Sequence, residues 1–146
     1  MNDKLDIFID RLQSQIFDEA KGAFGEAGFQ RWQTPEYMGR MQNCDASARV
    51  TGECGVTMEI FLRFAENRVQ DASYFTDGCA SSSICGSFTA EMAMGKDPDE
   101  LTEITGGAVL EKIGRFPEKD QHCAYLAAET LQEALRCHMI REREKT

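Results

Sequence analysis

Three of the six cysteines and one of the two histidines occupy positions where metal or sulfur chemistry is expected. Cys79 follows a glycine and precedes a predicted helix, whose dipole and free N–H groups favour a thiolate. Cys123 begins the last predicted helix, so the same argument predicts a lowered pKa, and His122 places an imidazole beside it. Cys54 precedes a glycine in a predicted turn between strands, where the backbone can bend tightly around whatever the sulfur binds. Three thiolates and one imidazole make a four-ligand set.

The other three cysteines are better explained as core residues, because free cysteine is among the residue types most often buried. They are Cys44, Cys85 and Cys137. Cys79 and Cys85 are six residues apart, which is about 240° of rotation on a helix and points them to different faces. Cys137 lies 14 residues after Cys123, about 21 Å along the helix axis. Cys85 is therefore not expected to share a metal with Cys79, nor Cys137 with Cys123.

The residues alone leave two interpretations of Cys54, Cys79 and Cys123 equally open, as ligands or as core positions. The long intervals between them match no compact zinc signature. A cysteine hydrolase is a weaker interpretation, because neither His122 nor His138 comes with an evident third group to orient it.

Composition limits the class of protein. The 146 residues and 16.4 kDa correspond to one domain with a real hydrophobic core. A net charge of -9 has the wrong sign for binding a phosphate backbone, so nucleic acid is not an expected partner. No apolar stretch approaches membrane-spanning length, and the first residues lack the basic and apolar regions of an export signal. We therefore expect a cytoplasmic protein that needs no membrane.

The pattern along the chain changes from helical to alternating and back. Apolar residues at helical spacing predict a helix over residues 3–22 and a further helical piece near 29–32. Pro35 ends that piece, and an extended segment is predicted from there to residue 44. Alternation between 46 and 77 predicts an antiparallel meander of three strands. Helices are then predicted over 80–94, from 97, over 107–113 and over 120–142. This order predicts an α+β fold, a three-stranded antiparallel sheet with helices packed on one face.

Three short blocks carry a resemblance to a known family. They are 54–60 (CGVTMEI), 76–83 (TDGCASSS) and 122–127 (HCAYLA). In this order and at these separations they resemble the blocks of the NifU/IscU-like iron-sulfur cluster assembly scaffolds. The resemblance covers residues 35–140 of a single domain, preceded by a helical extension over 1–34. It implies the IscU/NifU N-terminal-like fold.

The resemblance implies a scaffold or carrier, not an enzyme. It would bind iron and sulfide through Cys54, Cys79, Cys123 and His122, as a 2Fe–2S cluster, and pass the cluster to apo acceptor proteins. Sulfur would come from a cysteine desulfurase, with Cys123 as the persulfide acceptor. Soft thiolates in separate loops with one weaker ligand suit a cluster that must be released. Zinc could occupy the same ligands in the protein as isolated.

The sequence departs from the family in three places. Val56 stands where the family usually has an aspartate, and valine can neither coordinate iron nor take up a proton. Asp77 is the nearest carboxylate that could substitute, although an acid beside a helix N-terminus is more simply explained by electrostatics. Residues 115–121 differ from the segment that some members present to a dedicated chaperone, so that partner is not expected. The N-terminal extension fits a docking or dimerising helix, but a helix covering the core is the simpler expectation.

Two alternative functions stay open. One is a zinc-bound sulfur-transfer protein on the same fold, because three cysteines and a histidine suit zinc as well as a cluster. The histidine at 122 favours the scaffold, since zinc-type relatives generally lack it. The other alternative is a metal-free module that binds assembly partners, which the missing aspartate supports and the retained cysteines oppose.

Overall fold

The structure is a computed structural model that describes residues 3–145. Its order is helix α1 (Asp3–Gln33), strands β1 (Ala46–Thr51), β2 (Thr57–Ala65) and β3 (Arg68–Thr76), then four further helices. These are α2 (Ala80–Ala93), α3 (Pro98–Leu101), α4 (Gly106–Ile113) and α5 (His122–Glu144), with a 3-10 turn at Glu118–Asp120 before α5. The predicted order of strands and helices is confirmed.

The sheet is an antiparallel meander in the order β1-β2-β3. Alternate residues of β2 point into the core, where Met58, Ile60 and Leu62 are fully buried. The tight turn to β3 uses two residues with positive φ, Glu66 and Asn67. This inside–outside alternation fixes the pairing register, because a shift by one residue would turn the buried face towards water.

Helices α2 and α5 pack against the sheet on the face that its buried side chains define. Helix α2 is buried around most of its circumference, since it lies between the sheet and the other helices. Gly86 allows this close approach, because a Cβ there would lie 2.5 Å from the ring of Tyr74. The α+β fold with helices on one face of the sheet is confirmed. Among residues 3–145, no helix is both long and apolar enough to cross a membrane.

Helix α1 differs from the prediction in its break and in its position. The helix runs past the predicted end at residue 22 and is broken at Gly25, where φ is +74°. After the break, Phe29 packs in the body, and Phe24 before it joins the core. Every residue from 3 to 19 is exposed. The expectation that this helix covers the core is therefore wrong for its first half, which projects from the body.

His138 on α5 is a buried histidine that packs against the sheet. Its imidazole is 6% exposed and stacks on Phe64 at a ring separation of 3.8 Å. Burial lowers the pKa of His138 from its ordinary 6.5, and the charges of Lys145 and Arg141 act in the same direction. The carboxylates of Glu142 and Asp45 partly oppose this shift.

We expect this lowered pKa to make folding stability depend on pH. The unfolded chain binds a proton at His138 more readily than the folded chain. The contribution of neutral His138 to the free energy of unfolding is therefore fully present above pH 6.5 and is lost as the pH falls below that value. Urea unfolding of the wild type and of His138→Leu, between about pH 7.5 and pH 5, should show a flatter dependence in the variant. Equal slopes for the two proteins would contradict the assignment.

Candidate functional site

The loops that carry Cys54 and Cys79 meet at one end of the sheet. The Cys54 loop joins β1 to β2 beyond the Thr51–Thr57 pair, and Thr76 at the end of β3 is paired with Met58 of β2. Cys79 comes three residues after that strand end and is the N-cap of α2. The two candidate ligands therefore lie at the same end of the fold, and both are exposed.

Cys123 lies in the first turn of α5, beneath this end of the sheet, and is only 2% exposed. Its Sγ is 3.5 Å from the hydroxyl oxygen of Ser82 in α2 and 3.7 Å from Nε2 of His122. The charges of Cys54 and Cys79 both influence its ionisation, which places the three thiols in one electrostatic neighbourhood. The structure thus brings together the four residues that the sequence singled out.

The expected lowering of the Cys123 pKa is wrong, because burial raises that pKa above its ordinary value of 9.0. A hydrogen bond from Ser82 opposes the shift, while neighbouring negative charge at Cys79, Asp120 and Cys54 adds to it. The helix dipole at the start of α5 favours a thiolate, but the cost of burying that charge is larger. A metal cation would reverse this balance, since it favours the deprotonated thiol.

His122 is exposed at the start of α5, and its Nδ1 lies 3.2 Å from the carbonyl oxygen of Lys119. When Nδ1 carries the proton, that contact leaves Nε2 on the side of Cys123 as a neutral donor atom for a metal. A cleft of about 520 Å³ has both Cys54 and His122 in its wall, together with the exposed ring of Tyr125. The cleft gives solvent, iron or a partner side chain access to these two ligands.

The four residues are neighbours without forming a closed metal site. Within residues 3–145, no three cysteine, histidine or acidic side chains are arranged to hold a metal ion. Cys54 and Cys79 lie on exposed loops, where side-chain rotation costs little, whereas Cys123 is fixed by packing. A metal held by all three thiols would require the exposed side chains of Cys54 and Cys79 to approach Cys123.

The carboxylate of Asp77 accepts a hydrogen bond from the backbone. Its Oδ1 accepts a hydrogen bond of 2.8 Å from the N–H of Thr57 and so ties the Cys79 loop to β2. The electrostatic explanation of this acid is incomplete, because it also makes a specific structural bond. The suggestion that Asp77 replaces the missing carboxylate gains no support from this geometry.

Val56 packs against the loop of Cys79. A Cβ placed on Gly78 would lie 2.7 Å from a methyl group of Val56 and 2.5 Å from the hydroxyl oxygen of Ser82. Only glycine therefore fits at position 78 without displacing a neighbour. The half-buried valine side chain covers the backbone just before Cys79 with apolar surface.

Two serines and an aspartate near the thiols were not identified from the sequence as site residues. Ser81 donates a hydrogen bond of 2.9 Å to Oδ2 of Asp120, which joins the start of α2 to the turn before α5. Asp120 is close enough to influence the ionisation of both Cys123 and Cys85. The available signal was the serine run 81–83 at a helix start, but its partner lies 39 residues from Ser81 along the chain.

The remaining cysteines differ in their surroundings. Cys85 is fully buried, as predicted, and burial raises its pKa well above the ordinary value. It lies near enough to Cys123 and Cys79 for their charges to act on it. Cys44 and Cys137 are half-buried rather than core residues.

Comparison with known proteins gives concordant results. The family model described as the NifU-like N terminal domain matches residues 24–145. The iron-sulfur cluster assembly scaffold protein IscU 1 of Archaeoglobus fulgidus is 34% identical over 113 residues, which are 77% of this chain and 74% of that protein. The scaffold protein IscU of Haemophilus influenzae is 25% identical over 119 residues, 77% of this chain and 93% of that protein.

Solved structures agree on the fold. The crystal structure of the N-terminal part of a nitrogen-fixing NifU-like protein from Brucella abortus superposes with a TM-score of 0.65 at 20% identity. The superposition covers 83% of this chain and 97% of that one. Since the family model spans most of the chain and the sequence blocks fall within it, the protein belongs to the NifU-like N-terminal domain family.

Proposed function

We propose that this protein is an iron-sulfur cluster assembly scaffold, which receives iron and sulfide, holds the cluster and passes it to acceptor proteins. The observation that carries the proposal is geometric: Cys54 and His122 share one cleft, and the sulfur of Cys123 lies 3.7 Å from Nε2 of His122. Cys79 follows β3 at the same end of the sheet. Several relatives with known names are scaffolds of this kind, including the two from Archaeoglobus fulgidus. Thiolates are the ligands that iron-sulfur clusters require.

The four ligands differ in exposure, which suits assembly and release. Cys123 is buried in the first turn of a long helix, whereas Cys54, Cys79 and His122 are exposed. Iron can first bind to the exposed thiols of Cys54 and Cys79 and then be coordinated by Cys123. Because one ligand is an imidazole, the cluster also keeps a weaker position at which an acceptor can enter.

Sulfur delivery is proposed to come from a cysteine desulfurase as a persulfide. Cys123 stays the proposed acceptor, but its 2% exposure means that His122 or the Cys54 loop must move before a partner reaches its sulfur. The cleft beside Cys54 and His122 is the route by which a partner loop would approach. The protein is a carrier in this proposal and catalyses no reaction of its own.

The proposal is tested by anaerobic purification and reconstitution with ferrous iron, a cysteine desulfurase, its substrate cysteine and a thiol reductant that converts persulfide to sulfide. A visible spectrum and iron, zinc and sulfide analysis follow. Charge-transfer bands with stoichiometric iron and sulfide, of the 2Fe–2S type, are expected for a scaffold. A colourless protein with one zinc would instead indicate the sulfur-transfer function. A protein that binds neither metal would indicate a partner-binding module.

Asp120 and Asp77 are expected to differ in their effect on iron affinity, because only Asp120 influences the ionisation of Cys123, whereas Asp77 holds the Cys79 loop against β2. We expect Asp120→Asn to weaken ferrous iron binding by about tenfold, because it removes a negative charge beside Cys123. Asp77→Asn should leave iron affinity unchanged, since its amide oxygen can still accept from Thr57. Anaerobic competition with an iron chelator measures both affinities. A larger loss in Asp77→Asn would contradict this assignment.

A further inference from the structure

The first 20 described residues of α1, 3–22, form a helix that projects from the body, called the projecting helix below. Each of residues 3–19 is exposed. Contact with the body begins near its end, where the ring of Phe17 meets that of Phe29 at 5.7 Å and the carbonyl of Gly22 accepts from Arg115. Most of the stability of a helix in a protein comes from packing of its apolar face, so a helix without such packing gains stability from a partner. The family match starts at residue 24, and this helix lies outside it.

One face of the projecting helix is an apolar stripe. Its members are Leu5, Phe8, Ile9, Leu12 and Ile16. Their spacing of three or four residues places them within about 100° of one another around the helix axis. Each is between 41% and 62% exposed. Contiguous apolar surface of this kind on a water-soluble chain marks an interaction site.

Charges flank the stripe unequally. Over the first three turns, Lys4 and Arg11 lie along one edge of it, and Asp6 and Asp10 lie along the other. Asp18 follows on the first edge, nearer the body. The acidic edge and the chain's net charge of -9 oppose binding to an anionic lipid surface, which attracts helices with a basic polar face. A surface that carries one basic and one acidic edge is complementary to itself.

We propose that the projecting helix pairs with the same helix of a second copy of this chain, side by side and parallel. In a parallel pair the opposite edges of two helices meet, so Lys4 and Arg11 of each copy face the acidic edge of its partner. In an antiparallel pair, like edges would meet and repel. The stripes bury each other in the parallel pair, and the domain bodies lie at the same end.

Sedimentation velocity of the full chain tests the pairing, between about 1 and 100 µM protein. The wild type is expected to dimerise, and Leu12→Ser with Ile16→Ser to weaken dimerisation about tenfold or more. Ile7→Ser is the matched control, because Ile7 is 51% exposed but lies on the opposite face. It should dimerise like the wild type. A monomeric wild type, or an equal loss in the control, would overturn the proposal.

The charge pattern tests the orientation. Lys4→Glu places like charges together in a parallel pair, so it should weaken dimerisation several-fold at low salt, with a smaller effect at high salt. In an antiparallel pair the same change would strengthen dimerisation, and that result would overturn the parallel arrangement. Thermal unfolding of the body and metal content per chain should stay unchanged in all variants, because the substituted residues are exposed and are not candidate ligands.

Two other partners are outcomes of the same set of variants. A wild type that stays monomeric but binds a cysteine desulfurase, with that binding lost in Leu12→Ser with Ile16→Ser, would assign the stripe to the desulfurase instead. Co-sedimentation with phosphatidylglycerol vesicles that depends on the stripe would assign it to a membrane surface. Either result would overturn pairing with a second copy.

Discussion

Alanine at Cys54, Cys79 or Cys123 is expected to abolish assembly of the iron-sulfur cluster. Each thiolate comes from a different segment, so each variant retains only two of the three proposed thiolate ligands. Reconstitution of each variant under anaerobic conditions, with iron and sulfide analysis, measures the loss. His122→Ala should keep the fold and weaken cluster binding by about 10 to 100-fold, because the imidazole is the weaker ligand and has a neutral substitute in water.

The other cysteines provide matched controls for that experiment. Cys44→Ser and Cys137→Ser change half-buried thiols outside the site and should reconstitute like the wild type. Cys85 is fully buried near Cys123, so Cys85→Ala is the suitable change there, since a serine hydroxyl would be buried without an assigned partner. A full cluster in any two of the alanine variants at 54, 79 and 123 would show that the ligand set is wrong. A folded control that lost the cluster would do the same.

Val56→Asp is expected to speed cluster transfer by about tenfold. The valine places an apolar side chain, which can neither ligate iron nor take up a proton, against the backbone before Cys79. A carboxylate there would add a hard, protonatable ligand that is poorly matched to iron held by sulfur. Transfer to an apo-ferredoxin, followed by circular dichroism at identical thiol concentrations, compares the two proteins. The wild type should hold its cluster longer.

Val56→Asn separates the carboxylate from the loss of apolar cover, because asparagine has the shape of aspartate without its charge. If water access alone controls release, the asparagine and aspartate variants should transfer at the same increased rate. If the carboxylate itself opens the cluster, only the aspartate variant should be fast. Equal rates in all three proteins would show that release is controlled elsewhere, with Asp120 and His122 the next residues to change.

Local patterns in the sequence determined most of the secondary structure. Alternation in β2 and the positive-φ turn at residues 66–67 define a hairpin, because they involve neighbours along the chain. The capping box of α3 is equally local, since Asp97 and Glu100 bond to each other's backbone. The four candidate ligands were also identified from the sequence, through the residue types and order of three short blocks.

The tertiary structure alone decided how these residues are arranged. The burial of Cys123 depends on α2 and the sheet lying above α5, and it reversed the pKa shift that the helix start predicted. The bond from Ser81 to Asp120 joins segments 39 residues apart, which no local pattern records. The amphipathic pattern of α1 was visible in the sequence, but the pattern is the same for a helix that covers a core and one that projects. Only the break at Gly25 decided between them, because it turns residues 26–33 onto the body and leaves residues 3–19 in water.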